Sequence, residues 1–173
     1  MSNSAIYFLT GTTYIHYPYF REENQKQIIL NRIDGLRNKF EMDYIVFSIS
    51  MNHYHLKFRL NSNNLIPKIR QFLHGGTSYD YRKLFPKPYE HFWQSFHSRR
   101  IDSEVINWKI SRYIIGNPLK HREVSRFDDL LNYPFCSFYD FSKKHGIDQA
   151  KTLVRSVIQS NEDADGYITI CKL

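Results

Sequence analysis

The sequence predicts an α+β fold, a ferredoxin-like or RRM-like sandwich with a central antiparallel sheet and helices packed on it. Three observations predict it. The 173 residues suit one domain with a terminal extension. Elements follow the order strand, helix, strand, strand, helix, strand, helix, which fits helices laid on an antiparallel sheet. The split βαβ arrangement is the simplest layout with that order.

Each element has its own signal. AIYFLTGTTY at 5–14 is rich in β-branched and aromatic residues and reads as a strand. From about Arg21 to Phe40, Ile28, Ile29, Ile33, Leu36 and Phe40 recur at helical spacing. DYIVFSIS at 43–50 and HYHLKFRL at 53–60 are two strands around Met51-Asn52, and they read as a hairpin despite a weak turn dipeptide. LIPKIRQFL at 65–73 fits a helix with Pro67 in its first turn, after a polar break at Asn61–Asn64. Gly75-Gly76 is expected to break it, and SYDYRKLF to resume it. Pro86 and Pro88 enforce a loop before a fourth strand, FWQSFHSRRI at 92–101. Asp102 or Ser103 then caps a helix expected to run to about Asn117 and stop at Pro118. Residues 119–141 read as irregular, 147–160 as a helix, and YITICKL as a terminal strand. The organisation expected is a domain at 1–141 with an extension at 142–173.

Composition narrows the function. No apolar run approaches the roughly 18 to 20 residues of a membrane helix, and the N-terminus lacks the pattern of a signal peptide. Cys136 and Cys171 have no metal-type spacing, and a cytoplasmic location is expected. The net charge is +7 and aromatics make up 16% of the chain. Cations attract polyanions, and exposed aromatic rings stack single-stranded bases. The same composition fits a basic protein with a Phe- and Tyr-rich core.

Two constellations carry chemistry. On 53–60, alternation puts His53, His55, Lys57 and Arg59 on one face, and Tyr54, Leu56, Phe58 and Leu60 on the other. Imidazoles at i and i+2 can hold one divalent metal, and the two cations beside it could neutralise phosphate. By itself the pattern is weak evidence, and a solvated strand face with ordinary histidines accounts for it. On the helix before Pro118, Ile106, Ile110, Tyr113 and Asn117 share a face, with Tyr113 and Asn117 four apart. Docking by the isoleucines brings a phenol and an amide to one place. Core packing and helix capping explain the same pair.

Taken together, these residues resemble a known family. His53-Tyr54-His55 in its NHYHL context matches the His-hydrophobic-His signature of HUH endonucleases. FWQSFHSRRI, RYIIGNPLKH and YPFCSF follow in the order found in single-tyrosine HUH transposases, of which the REP-associated branch is most similar. The resemblance covers about residues 5 to 139. It implies the family's α/β sandwich, with Tyr113 as nucleophile and His53, His55 and Asn117 as ligands of Mg²⁺ or Mn²⁺. It implies cleavage and rejoining of single-stranded DNA, often hairpin-borne, through a 5′-phosphotyrosine, in a prokaryotic, nucleoid-associated setting. Lys57, Arg59, Arg99, Arg100 and Arg112 are the expected DNA contacts. Two positions depart from the branch: Ile115 replaces a histidine, and Lys57 sits where an apolar residue is common. A non-cleaving hairpin DNA- or RNA-binding descendant and a rolling-circle or relaxase-type nickase are the alternatives. Monomer and homodimer both stay open.

Overall fold

A computed structural model describes residues 4–158. Four strands form one antiparallel sheet in the order β2-β3-β1-β4. They are β1 (Ala5–Thr13), β2 (Asp43–Ile49), β3 (His53–Leu60) and β4 (Trp93–Ile101). This is the order the split βαβ arrangement requires, because the crossover between β1 and β2 leaves room for β3. β1 and β3 register Thr10 against His55 and Thr12 against His53.

The two sheet faces carry two cores. Tyr54, Leu56, Phe58 and Leu60 of β3 join Tyr7 and Leu9 under α1 (Glu23–Phe40), which contributes Ile28, Ile29, Ile33 and Leu36. α2 (Ile66–Arg70) and α3 (Gly76–Leu84) complete that layer. The opposite face is covered by α4 (Glu104–Lys120), α5 (Phe138–His145) and α6 (Ile147–Arg155). There Phe8, Val46 and Ile101 meet Ile110, Tyr113 and Ile114 of α4. α6 buries Ala150 and Val154 in the same core and closes on Gly116, where a Cβ would sit 3.2 Å from Val157. Among the described residues no helix is long and apolar enough to cross a membrane.

Three local expectations are corrected. The glycine pair does not interrupt the helix: Gln71–Gly75 is a π-helical segment joining α2 to α3, and Gly75 and Gly76 both have helical φ. A Cβ on Gly76 would fall 2.7 Å from the Arg32 guanidinium carbon, so this glycine serves the close approach of α1. Pro118 lies inside α4, which continues to Lys120. Proline cannot donate to the carbonyl four residues back. The Cys136 thiol fills that place, 3.8 Å from the Ile114 oxygen and 3.6 Å from that of Ile115. Within 119–141, a 3₁₀ helix spans Phe127–Asn132, and Cys136 bridges to Ser48.

Ser103 is the residue before α4, as expected, but its side chain makes no capping bond. α5 runs across the expected boundary at residue 141. The helix expected at 147–160 is α6, ending at Arg155, and the strand expected in YITICKL lies outside the described residues.

Candidate active site

β3 enters the centre of the sheet with His53 and His55 on the α4 side. The short connection before it is held by its surroundings rather than by turn chemistry. The Asn52 carbonyl accepts from the Thr13 backbone and hydroxyl, both at 2.9 Å, and the Met51 amide donates to Glu123 Oε1 at 2.8 Å. Glu123 Oε2 pairs with Lys26 at 2.5 Å in a buried ion pair. The turn, α1 and the segment after α4 are thereby tied together.

The sequence-predicted residues His53, His55, Tyr113 and Asn117 come together. The His53 and His55 rings are 4.9 Å apart, and His55 lies 5.1 Å from the Tyr113 ring at a steep angle. Asn117 is buried, accepts from Ser50 Oγ at 2.9 Å and sits beside His53. Its spacing of one helical turn from Tyr113 explains why both reach the sheet.

Each histidine is oriented through Nδ1. His53 Nδ1 lies 2.8 Å from Asn52 Oδ1, an acceptor, so that nitrogen carries the proton and Nε2 keeps a bare lone pair. His55 Nδ1 is 2.9 Å from Thr10 Oγ1. Nε2 of both rings and Oη of Tyr113 are buried without a hydrogen-bond partner of good geometry among the described residues. Native proteins rarely leave such atoms unmet, and three neighbouring ones mark a place for something to bind.

Burial keeps both imidazoles neutral. It lowers the His53 pKa to about 3, helped by His121 and His16, while Asn117 acts in the opposite sense. His55 is held well below its ordinary value by burial, then by His53, His121 and Lys120. Neutral imidazoles and an amide oxygen are a donor set for a divalent ion. The set reaches three only through the amide: no group of three or more His, Cys, Asp or Glu that could hold a metal occurs among the described residues.

Several neighbours were not singled out in the sequence. His121 follows the end of α4 and lies 4.8 Å from His53. Lys120 Nζ lies 5.0 Å from the centre of the Tyr113 ring and places positive charge beside the phenol. Their position just past Pro118 was the available signal, hidden by the expectation that the helix stops there.

The expected DNA-contacting cations are scattered. Lys57 is corrected: it is 0% exposed and its ammonium is bound by Asn107, Ser111 and Tyr44, so it offers no charge to a phosphate. Arg59 is half-exposed beside Asp43 at 3.6 Å. It shares a cavity of about 430 Å³ with Arg100, at the end of β3 away from His53. Arg100 pairs with Asp102 at 2.7 Å. Arg99 is exposed on β4, and Arg112 is half-buried on α4.

Comparison with known proteins gives the family and agrees with the fold. The family described as transposase IS200 like matches residues 3–117, a span ending at Asn117. The structure of a REP-associated tyrosine transposase bound to a REP hairpin is similar, with a TM-score of 0.63 at 17% identity, covering 83% of this chain and 81% of that one. A protein from Deinococcus radiodurans R1 assigned as a transposase is similar with a TM-score of 0.52 at 16% identity, covering 66% and 91%. No curated protein matches significantly.

Proposed function

This chain belongs to the IS200-like transposase family, and from that premise we propose that it is a metal-dependent, single-strand DNA endonuclease and strand transferase with Tyr113 as nucleophile. The observation that carries the reading is the convergence of His53 Nε2, His55 Nε2 and Tyr113 Oη from β3 and α4, three buried polar atoms without a hydrogen-bond partner of good geometry among the described residues. The proposed substrate is hairpin-bearing single-stranded DNA, in line with the REP hairpin bound by the similar transposase.

His53, His55 and Asn117 would hold Mg²⁺ or Mn²⁺, and the bound ion would offset phosphate charge and favour the ionised phenol. Asn52 and Thr10 hold the two imidazoles through Nδ1, which would leave each Nε2 free to bind the ion. Tyr113 Oη attacks phosphorus, and the bond from phosphorus to the 3′ oxygen breaks. The products are a 5′-phosphotyrosine and a free 3′-OH, and a second 3′-OH reverses the step on another strand. The proton lost by Oη and the one gained by the 3′ oxygen exchange with water. Lys120 adds fixed positive charge beside the phenol.

The test is a covalent adduct on 3′-labelled, hairpin-bearing single-stranded DNA with Mn²⁺. Wild type should give a labelled protein band that chelator prevents and Tyr113→Phe lacks. One observation favours a second reading: Tyr113 is 0% exposed. A chain that binds hairpin DNA without cutting it would shift the labelled DNA in a native gel and give no adduct.

A further inference from the structure

One polar residue on the α4 side of the sheet is as completely buried as His55 and Asn117, yet the chemistry above does not use it. Lys57 follows His53 and His55 on the same face of β3, and its ammonium ends against α4. Nζ donates to Asn107 Oδ1 at 2.7 Å, to Ser111 Oγ, and to the Asn107 carbonyl at 3.3 Å. Its remaining partner is Tyr44 Oη of β2 at 3.3 Å. Ser111 Oγ in turn donates to the Asn107 carbonyl at 2.9 Å and Asn107 Nδ2 reaches the Glu104 carboxylate at 3.4 Å, so both side-chain acceptors on the helix are held in place.

No carboxylate lies within bonding distance of the ammonium among the described residues. The ammonium is fully buried among neutral partners, which costs it its hydration. A methionine would fill the same space without that desolvation cost. Stability alone is therefore a poor account of Lys57, and direction is a better one. Beyond Lys57, α4 meets the sheet through Asn117, which accepts from Ser50 Oγ at 2.9 Å one turn past Tyr113, and otherwise through Ile110, Tyr113 and Ile114 against Phe8 and Val46. Apolar packing of that kind is non-directional and tolerates small slides. An ammonium with fixed acceptors at i and i+4 does not. Asn107 and Ser111 sit six and two residues before Tyr113, about one and two-thirds turns and half a turn, on one rigid helix.

We infer that Lys57 is a positioning residue, fixing the rotation and axial position of α4 so that Tyr113 stands against His55. For its activity readout this rests on Tyr113 being the nucleophile. A misplacement of about 1 Å can cost a reaction about a hundredfold, which sets the scale of the effect.

The experiment compares wild type, Lys57→Met, and the triple variant Lys57→Met/Asn107→Leu/Ser111→Ala. The triple variant removes the ammonium together with its helix acceptors, leaving none of them stranded. Melting temperature, DNA affinity, the single-turnover adduct rate at saturating hairpin DNA and hydrogen exchange across 104–120 are measured. Lys57→Met should melt lower, form adduct at least tenfold more slowly at unchanged DNA affinity, and exchange faster in α4. The triple variant should regain the melting temperature and keep the slow rate and fast exchange. Recovery of rate and exchange together with melting temperature overturns the inference, since Lys57 would then only fill space. If wild type forms no adduct, the nucleophile reading fails separately, and hydrogen exchange of α4 in the triple variant still decides the role of Lys57. If the triple variant does not fold, Ser111→Ala and Tyr44→Phe each take one hydroxyl from the same ammonium. Only Ser111→Ala should slow the adduct or loosen α4, and equal behaviour of the two overturns the inference.

Discussion

Replacing Tyr113 with phenylalanine should make the metal-free protein more stable while removing its covalent chemistry. The ring is wholly buried, packed against His55 and under Lys120, and phenylalanine keeps those contacts. Only Oη is lost, and Oη has no hydrogen-bond partner among the described residues. A stranded buried hydroxyl costs a fold about 1–3 kcal/mol. Relaxation around a hydroxyl recovers part of that cost, so the expected gain is about 1 kcal/mol. Urea denaturation in chelator measures it, with the slope m compared between the two proteins to exclude a change in the unfolded state. The covalent adduct on labelled DNA is followed in parallel. A loss of more than about 0.5 kcal/mol in Tyr113→Phe would refute the reasoning, because it would mean that Oη bonds within the folded protein and is not held ready for a substrate.

Mn²⁺ should stabilise the wild type, by about 2.7 kcal/mol at a hundredfold excess over its Kd, and should do so much less in His53→Ala or His55→Ala; calorimetry with and without the ion decides this, and equal shifts in all three proteins would remove the histidines from the metal site. Acid should unfold the chain early. Burial holds His53 and His74 near pKa 3 against an ordinary 6.5, so the unfolded chain takes up protons first as pH falls. Their stabilising effect is complete above pH 6.5 and is lost as pH falls toward 3, on the order of 1 kcal/mol each by pH 5.5, and a flat stability between pH 6.5 and 5 in chelator would contradict it. Two glycines should respond in opposite directions to alanine. A Cβ on Gly11 meets Tyr54 at 2.4 Å and His74 at 2.6 Å, and overpacking of this kind costs about 1–3 kcal/mol. Gly75 has helical φ and nothing within 4 Å of its Cβ, so Gly75→Ala should gain about 0.5–1 kcal/mol in thermal or urea unfolding.

The elements and the four central residues were legible because their signals are periodic. Alternation on 53–60 separated His53 and His55 from Tyr54 and Leu56, and helical spacing put Tyr113 above Asn117. What alternation does not report is what covers a face. Lys57 reads as a free cation next to two histidines until α4, fifty residues later, brings Asn107 and Ser111 onto it. Local rules also failed where a distant group replaced the missing partner. Pro118 looks like a helix stop, but the thiol that stands in for its absent N–H comes from Cys136, eighteen residues on. Gly75-Gly76 looks like a break, but the space it provides belongs to Arg32. His121 and Lys120 were lost to the same error, since a helix ending at Asn117 would not carry them to the site.

The residue between the two histidines has a consequence for mutational-tolerance maps. Tyr54 points away from the candidate site, through the sheet. There its hydroxyl meets His74 Nε2 at 3.0 Å and its ring rests where only glycine fits at position 11. His74 stacks on Trp93 at 3.9 Å. A library scored only for transposition should flag Tyr54, Gly11, His74 and Trp93 almost as strongly as His53 and His55, although none of those four belongs to the candidate site. Scored separately for abundance, they would drop out and the histidines would remain. Intolerance would then trace a line through the sheet, and only the difference between the two scores would separate the candidate site from the packing behind it.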